Sequence, residues 1–144
     1  SVKKFEEDFG MGPCDVSYMS NEGHCTDLTI DGKPFDGKVS KMAFLRRYGM
    51  EFELIEPIGD TPYKEWLDEH GPGIHHIAVV TEDDYDTVLE KYRAEKGKEP
   101  WIRGQGMNNL MDFSYLDYRE ELGLIVECYI NIAPGRPAID YDPE

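Results

Sequence analysis

The chain has 144 residues, 40% hydrophobic and 12% aromatic, enough for one globular core or for two half-domains that share one. Its 30 acidic and 15 basic residues give a net charge of −15, which argues against nucleic acid and anionic membrane surfaces as partners, since both are met by basic patches. No apolar run approaches a membrane-spanning length and no signal-peptide pattern opens the chain; Cys14, Cys25 and Cys128 lack metal or redox spacing, so reduced thiols and a cytoplasmic location are expected.

Residues 1–10 predict a helix. Val2, Phe5 and Phe9 fall on one face, Ser1 is placed to cap it, and Gly10 stops it. Residues 15–19 and 26–30 read as short strands, with tight turns at Asp31-Gly32 and Asp36-Gly37. Residues 39–46 and 50–56 read as a hairpin around Tyr48-Gly49, ended by Pro57. Thr61-Pro62 opens a short helix whose apolar side carries Tyr63, Trp66 and Leu67, and Gly71 closes it. After the turn at Gly71-Pro72-Gly73 comes the run Ile74-His75-His76-Ile77-Ala78-Val79-Val80, a strand. Asp83 and Asp84 then offer caps to a second long helix. Its apolar residues Tyr85, Val88, Leu89 and Tyr92 recur at helical spacing, and Gly97 ends it. A polar stretch around Gly104 and Gly106, flanked by Trp101 and Arg103, reads as a loop, either a mobile lid or an ordinary surface connection. Strands at 111–117 and 123–129 flank a turn at 119–122. From Ala133 onward three prolines and no periodicity predict an extended or disordered tail.

The two long helices share a register. Phe5 and Tyr92, Gly10 and Gly97, and Pro13 and Pro100 each stand 87 positions apart, which points to a structural repeat. A histidine-bearing strand precedes the second helix, whereas the equivalent of His76 before the first helix falls upstream of Ser1. The expectation is a first repeat without its first strand. The strand edge left unpaired would invite a second copy of the chain, hence a homodimer.

Three residues stand out chemically. Side chains alternate along a strand, so His75 and His76 are expected on opposite faces, at most one of them beside Ala78 and Val80. A strand histidine facing inward beside small residues suits a metal ligand; it equally suits a histidine making one hydrogen bond. Glu53 lies within Phe52-Glu53-Leu54-Ile55, and Glu127 within Leu124-Ile125-Val126-Glu127-Cys128. A buried carboxylate is costly unless paired or metal-bound. Singly, each glutamate also reads as a surface residue on an edge strand, and Glu53 shares its face with Glu51. A strand histidine with two mid-strand glutamates forms an N/O donor set for Zn, Co, Ni, Mn or Fe. Phe113 with Tyr115, and Met42 with Phe44, share faces that serve either as pocket wall or as plain core.

The runs Phe52-Glu53-Leu54-Ile55-Glu56-Pro57, Gly73-Ile74-His75-His76-Ile77-Ala78 and Gly123-Leu124-Ile125-Val126-Glu127 resemble the vicinal oxygen chelate superfamily. This superfamily includes glyoxalases, methylmalonyl-CoA epimerases, extradiol dioxygenases and bleomycin-resistance proteins. The segment from Ile58 through Trp66-Leu67 to His76 is similar to the epimerase and glyoxalase-like branch. The resemblance implies an α+β fold of paired βαβββ units forming a curved, cup-like mixed sheet with helices outside. One domain is expected over 1–144: a first unit at 1–57 without its first strand, a linker with a short helix at 58–73, a second unit at 74–132, and a tail at 133–144.

It also implies a divalent metal held by His76, Glu53 and Glu127, with the family's further histidine on the absent strand; His24 and His70 lie in turn or helix-end contexts and do not replace it. The implied chemistry is proton transfer beside a carbonyl or thioester through a metal-stabilised enolate, by an isomerase, epimerase or lyase. Glu127 would double as ligand and base with Glu53 opposite, and the substrate would be a small carbonyl or acyl-thioester compound. Asp36 matches an acid/base position of the epimerases and equally a plain turn residue. The competing readings are a bleomycin-resistance-like binding protein and an Fe(II) extradiol dioxygenase. Retention of all three ligands favours the enzyme, because a binding cup needs none of them.

Overall fold

The computed structural model describes residues 1–131 except 24, 48, 82–84 and 109. His24, the turn residue Tyr48, the caps Asp83 and Asp84, and the tail from 132 lie outside the described residues. The elements are α1 (Val2–Phe9), β1 (Asp15–Ser20), β2 (Thr26–Ile30), β3 (Lys33–Pro34), β4 (Lys38–Arg47), β5 (Met50–Pro57), α2 (Pro62–His70), β6 (His76–Val80), α3 (Tyr85–Lys96), β7 (Ile102–Gly106), β8 (Met111–Tyr118), α4 (Arg119–Leu122) and β9 (Leu124–Asn131). No described helix is long and apolar enough to cross a membrane.

Helices and strands segregate as an α+β fold with open sheets. A small sheet has the order β1-β4-β5, and a larger one the order β3-β2-β7-β8-β9-β6. All pairs are antiparallel except β6 with β9. The run β6-α3-β7-β8-β9 is thus a βαβββ unit in which the helix leads into β7 and the last strand, β9, returns beside β6 as its parallel partner. Among the described residues β5 pairs only with β4, and β6 only with β9, so each presents one free edge. On β6 the residues Ile77, Val79 and Val80 are exposed.

The hairpin β2–β3 departs from a plain three-strand first unit. It leaves β1, joins the larger sheet through β7, and so ties the two sheets together. Its two-residue turn needs two positive φ angles, which Asp31 and Gly32 supply at 49° and 73°.

The stretch read as a loop around Gly104 and Gly106 is instead a strand, β7, and the loop expectation is corrected. Its even positions, Ile102, Gly104 and Gly106, are buried. A Cβ on Gly104 would stand 2.8 Å from Leu28 Cδ2 and 3.2 Å from both Phe113 Cζ and the Thr26 carbonyl oxygen. Glycine there reflects the close approach of β2 and β8 rather than a break in structure.

Strand alternation divides the core. Phe113 and Tyr115 of β8 and Ile125 and Tyr129 of β9 join Met19, Val39, Met42 and Tyr63 in a cluster between the two sheets. The opposite face of the same strands, Leu116 and Cys128, packs under Tyr85, Leu89 and Tyr92 of α3. Each of those three helix residues is almost fully buried, contributing about 1.5–3 kcal/mol. Helix α1 rests on β5 through Phe5 and Phe52, whose ring centroids are 6.0 Å apart. Gly10 and Gly97 end α1 and α3 with matching φ angles of 62° and 65°.

A candidate metal and proton-transfer site

Three strands from two sheets converge on one point. Glu53 stands on β5 opposite Phe44, and Glu127 stands on β9 between Tyr115 of β8 and Ala78 of β6. His76 opens β6. The odd positions of β5 and β9 face the inter-sheet cluster, so the glutamates are carried inward with Ile55, Ile125 and Tyr129. His76 Nε2 lies 3.2 Å from Glu53 Oε2 and 3.5 Å from Glu127 Oε2. One ligand atom from each residue falls within 4.8 Å of the others. The side chains of His76, Glu127 and Glu53 are only 9%, 12% and 18% exposed.

The electrostatics are those of a crowded, dry site. Burial pushes the Glu53 carboxyl up, and the neighbouring Glu127 adds to this against the pull of His76. Burial alone would drive the proton off His76, but hydrogen bonding and charge from Glu127 and Glu53 raise it to about 9. Among the described residues Glu53 Oε2 is buried and lacks a well-aligned hydrogen bond. Two carboxylates and one imidazole around a buried, under-satisfied oxygen suit a divalent cation of the Zn, Co, Ni, Mn or Fe kind.

An aromatic shell closes over this cluster. The Tyr115 ring meets the His76 ring edge-on at 4.9 Å. Tyr63 packs edge-on against Tyr115 at 5.7 Å. Burial, then the carboxylates, keep both phenols protonated far above their usual range. His75 is enclosed by Tyr63, Trp66, Trp101 and Tyr115. Burial first, then the neighbouring His76, push it down to about 3. Arg119 packs its guanidinium 4.9 Å from the Trp101 ring centre.

The expectation that His75 and His76 point to opposite sides is corrected. Their Nδ1 atoms are 3.1 Å apart. The strand begins only at His76, so the alternation rule does not reach His75, which stands just before it with its carbonyl oxygen accepting from the Ile125 N–H of β9. His70 stays at the end of α2, its Nδ1 3.0 Å from the Trp66 carbonyl oxygen, outside the cluster. Asp36 is exposed and lines a separate surface cavity of about 370 Å³ with Asn21, Leu28 and Phe35. Met42, Phe113 and Tyr115 are buried core, with Phe44 packed against them. The sequence pattern puts Tyr63 and Trp66 only on an apolar helix side. Their convergence on His75 is tertiary, and no local spacing announces it.

The sequence matches the family model of the glyoxalase/bleomycin resistance protein/dioxygenase superfamily over residues 1–114. No curated protein matches it. Among solved structures, a variant of Streptomyces coelicolor methylmalonyl-CoA epimerase in complex with 2-nitronate-propionyl-CoA superposes with a TM-score of 0.62 at 21% identity, covering 94% of this chain and 88% of that one. A methylmalonyl-CoA epimerase in complex with methylmalonyl-CoA and NH4+ gives 0.59 at 20%, with coverage of 94% and 88%. A hypothetical protein from Bacillus halodurans C-125 gives 0.54 at 18%, with coverage of 94% and 87%. At these identities the likeness is one of fold.

Proposed function

We propose, since the chain belongs to the glyoxalase/bleomycin resistance protein/dioxygenase superfamily, that it is a metal-dependent isomerase, epimerase or glyoxalase-type lyase moving a proton beside a carbonyl or thioester. One observation carries this reading: Glu53, His76 and Glu127 gather their ligand atoms within 4.8 Å in a buried site. A divalent ion held by these three supplies Lewis acidity toward the substrate carbonyl. A Glu127 carboxylate oxygen takes the proton from the adjacent carbon. Glu53 faces it from the other sheet, and its raised carboxyl suits it to hold or return a proton. Tyr63 and Tyr115 wall the site and exclude water. The proton moves between carbon and carboxylate, so the reaction needs no oxidant or reductant.

An acyl-thioester substrate is favoured by the two epimerase structures solved with acyl-CoA compounds. The reading includes a cytoplasmic location, in keeping with the free thiols of Cys14, Cys25 and Cys128. It also includes a homodimer in which a second copy covers the free β5 edge, which sedimentation checks directly.

The test is exchange of the substrate's α-proton with deuterated solvent, run on 2-methyl-branched acyl thioesters and on hemithioacetals with zinc, cobalt, nickel or manganese added. Exchange by the wild type, lowered about 10²–10⁴-fold in Glu127→Gln with part of the metal retained, is the expected result. No exchange on any of these substrates turns the assignment to a binding protein or a dioxygenase.

A further inference from the structure

His75 stands just before the strand and His76 opens it, and both rings meet on one side. Two ring nitrogens 3.1 Å apart form a hydrogen bond only if one donates and the other accepts. The opposite nitrogen of His76, Nε2, faces Glu53 and Glu127. A nitrogen that ligates a cation must present a lone pair, which puts the ring proton on Nδ1. His76 Nδ1 then has to donate, and among the described residues the acceptor within reach is His75 Nδ1. Metal-ligating histidines commonly hand this proton to a carboxylate or a carbonyl. Here a second imidazole takes that place.

We infer that His75 is a positioning residue: its Nδ1 accepts the Nδ1–H of His76 and so holds His76 in the tautomer and orientation that turn Nε2 toward Glu53 and Glu127. The inference rests on the proposal that His76 is a metal ligand. Among the described residues the His75 ring makes no further hydrogen bond, its buried Nε2 having no partner, while its carbonyl oxygen accepts from the Ile125 N–H. Ring packing does the holding. Trp101 lies parallel to it, 3° off and 5.7 Å between centres, while Tyr63 and Trp66 sit 5.0 and 5.1 Å away at steep angles. The ring is therefore fixed in place and rotation, as an acceptor must be to direct a neighbour.

Two substitutions separate this role from mere filling of the aromatic box. His75→Phe keeps a ring there but removes the acceptor. His75→Asn gives up the ring but offers an amide oxygen near the place of Nδ1. Zinc affinity is measured for each by competition with a chromophoric chelator at one pH. The expected loss is about 10–100-fold for His75→Phe, with His75→Asn recovering most of it. Unchanged zinc affinity in His75→Phe, or a loss in His75→Asn as large as in His75→Phe, overturns the inference and leaves the metal assignment standing. Failure of the wild type to bind zinc overturns both. Nitrogen-detected NMR of the wild-type imidazoles needs no variant at all. His76 must carry hydrogen on Nδ1 with and without zinc, and His75 must have a bare Nδ1; the reverse pattern overturns the assignment.

Discussion

His76 is caught between opposed forces. Burial disfavours its charge, while Glu127 and Glu53 favour it strongly enough to leave it at about 9. A cation competing for Nε2 must displace that proton. Zinc affinity should therefore rise by about tenfold per unit from pH 7 to pH 9 and level off above, as chelator competition across that range would show. A flat profile would mean that His76 is not the group being displaced. Stability of the metal-free chain follows the same proton. The folded value lies above the unfolded 6.5, so the contribution is fully present below about 6.5 and is lost as pH rises through about 9. Glu53, raised by burial, acts in the same direction, because ionising it inside costs stability. Urea unfolding should show the metal-free wild type losing stability between pH 7 and 10, and His76→Asn losing less. At this scale much was legible: an inward histidine and two mid-strand glutamates stood out because each broke an apolar run. The place of His75 was not, because nothing in two adjacent histidines tells which peptide starts the pleat.

Strands β7 and β8 show how an element's two faces are held apart. The even side of β8 binds α3, including a buried hydrogen bond of 2.7 Å between the hydroxyls of Tyr85 and Ser114. Tyr85→Phe strands the Ser114 hydroxyl and should cost about 1–3 kcal/mol in denaturant unfolding while leaving zinc affinity unchanged, because the proposed ligands Glu53, His76 and Glu127 lie away from the face packed under α3. Gly104→Ala places a Cβ against Leu28, Phe113 and the backbone of Thr26, and should cost about 1–3 kcal/mol. A cost near zero would show that β2 yields to it. Strand β7 hid from the sequence for the same reason. Alternating glycines and a glutamine lack strand propensity, and their cause is a neighbour that only the fold supplies. Helices α1 and α3, with glycine stops and full apolar faces, carried their own evidence.

The site is a property of the whole molecule. Glu53 belongs to the small sheet, His76 and Glu127 to the large one, and the shared core of Met42, Tyr63, Tyr115 and Ile125 holds the sheets face to face. The repeat of 87 positions and the family resemblance made this architecture readable in outline. The excursion of β2–β3 into the other sheet was not readable, since a two-residue β3 leaves almost no pattern. An ion ligated from both sheets binds the folded chain alone, so zinc at 100 times its dissociation constant should add about 2.7 kcal/mol of stability, and a chelator should remove it.

The most direct measurement is a calorimetric zinc titration of the purified chain beside its His76→Ala variant. One ion bound per chain by the wild type and none by the variant is the predicted result. Absence of binding to the wild type, or equal binding by His76→Ala, would contradict the assignment of Glu53, His76 and Glu127 as a metal site.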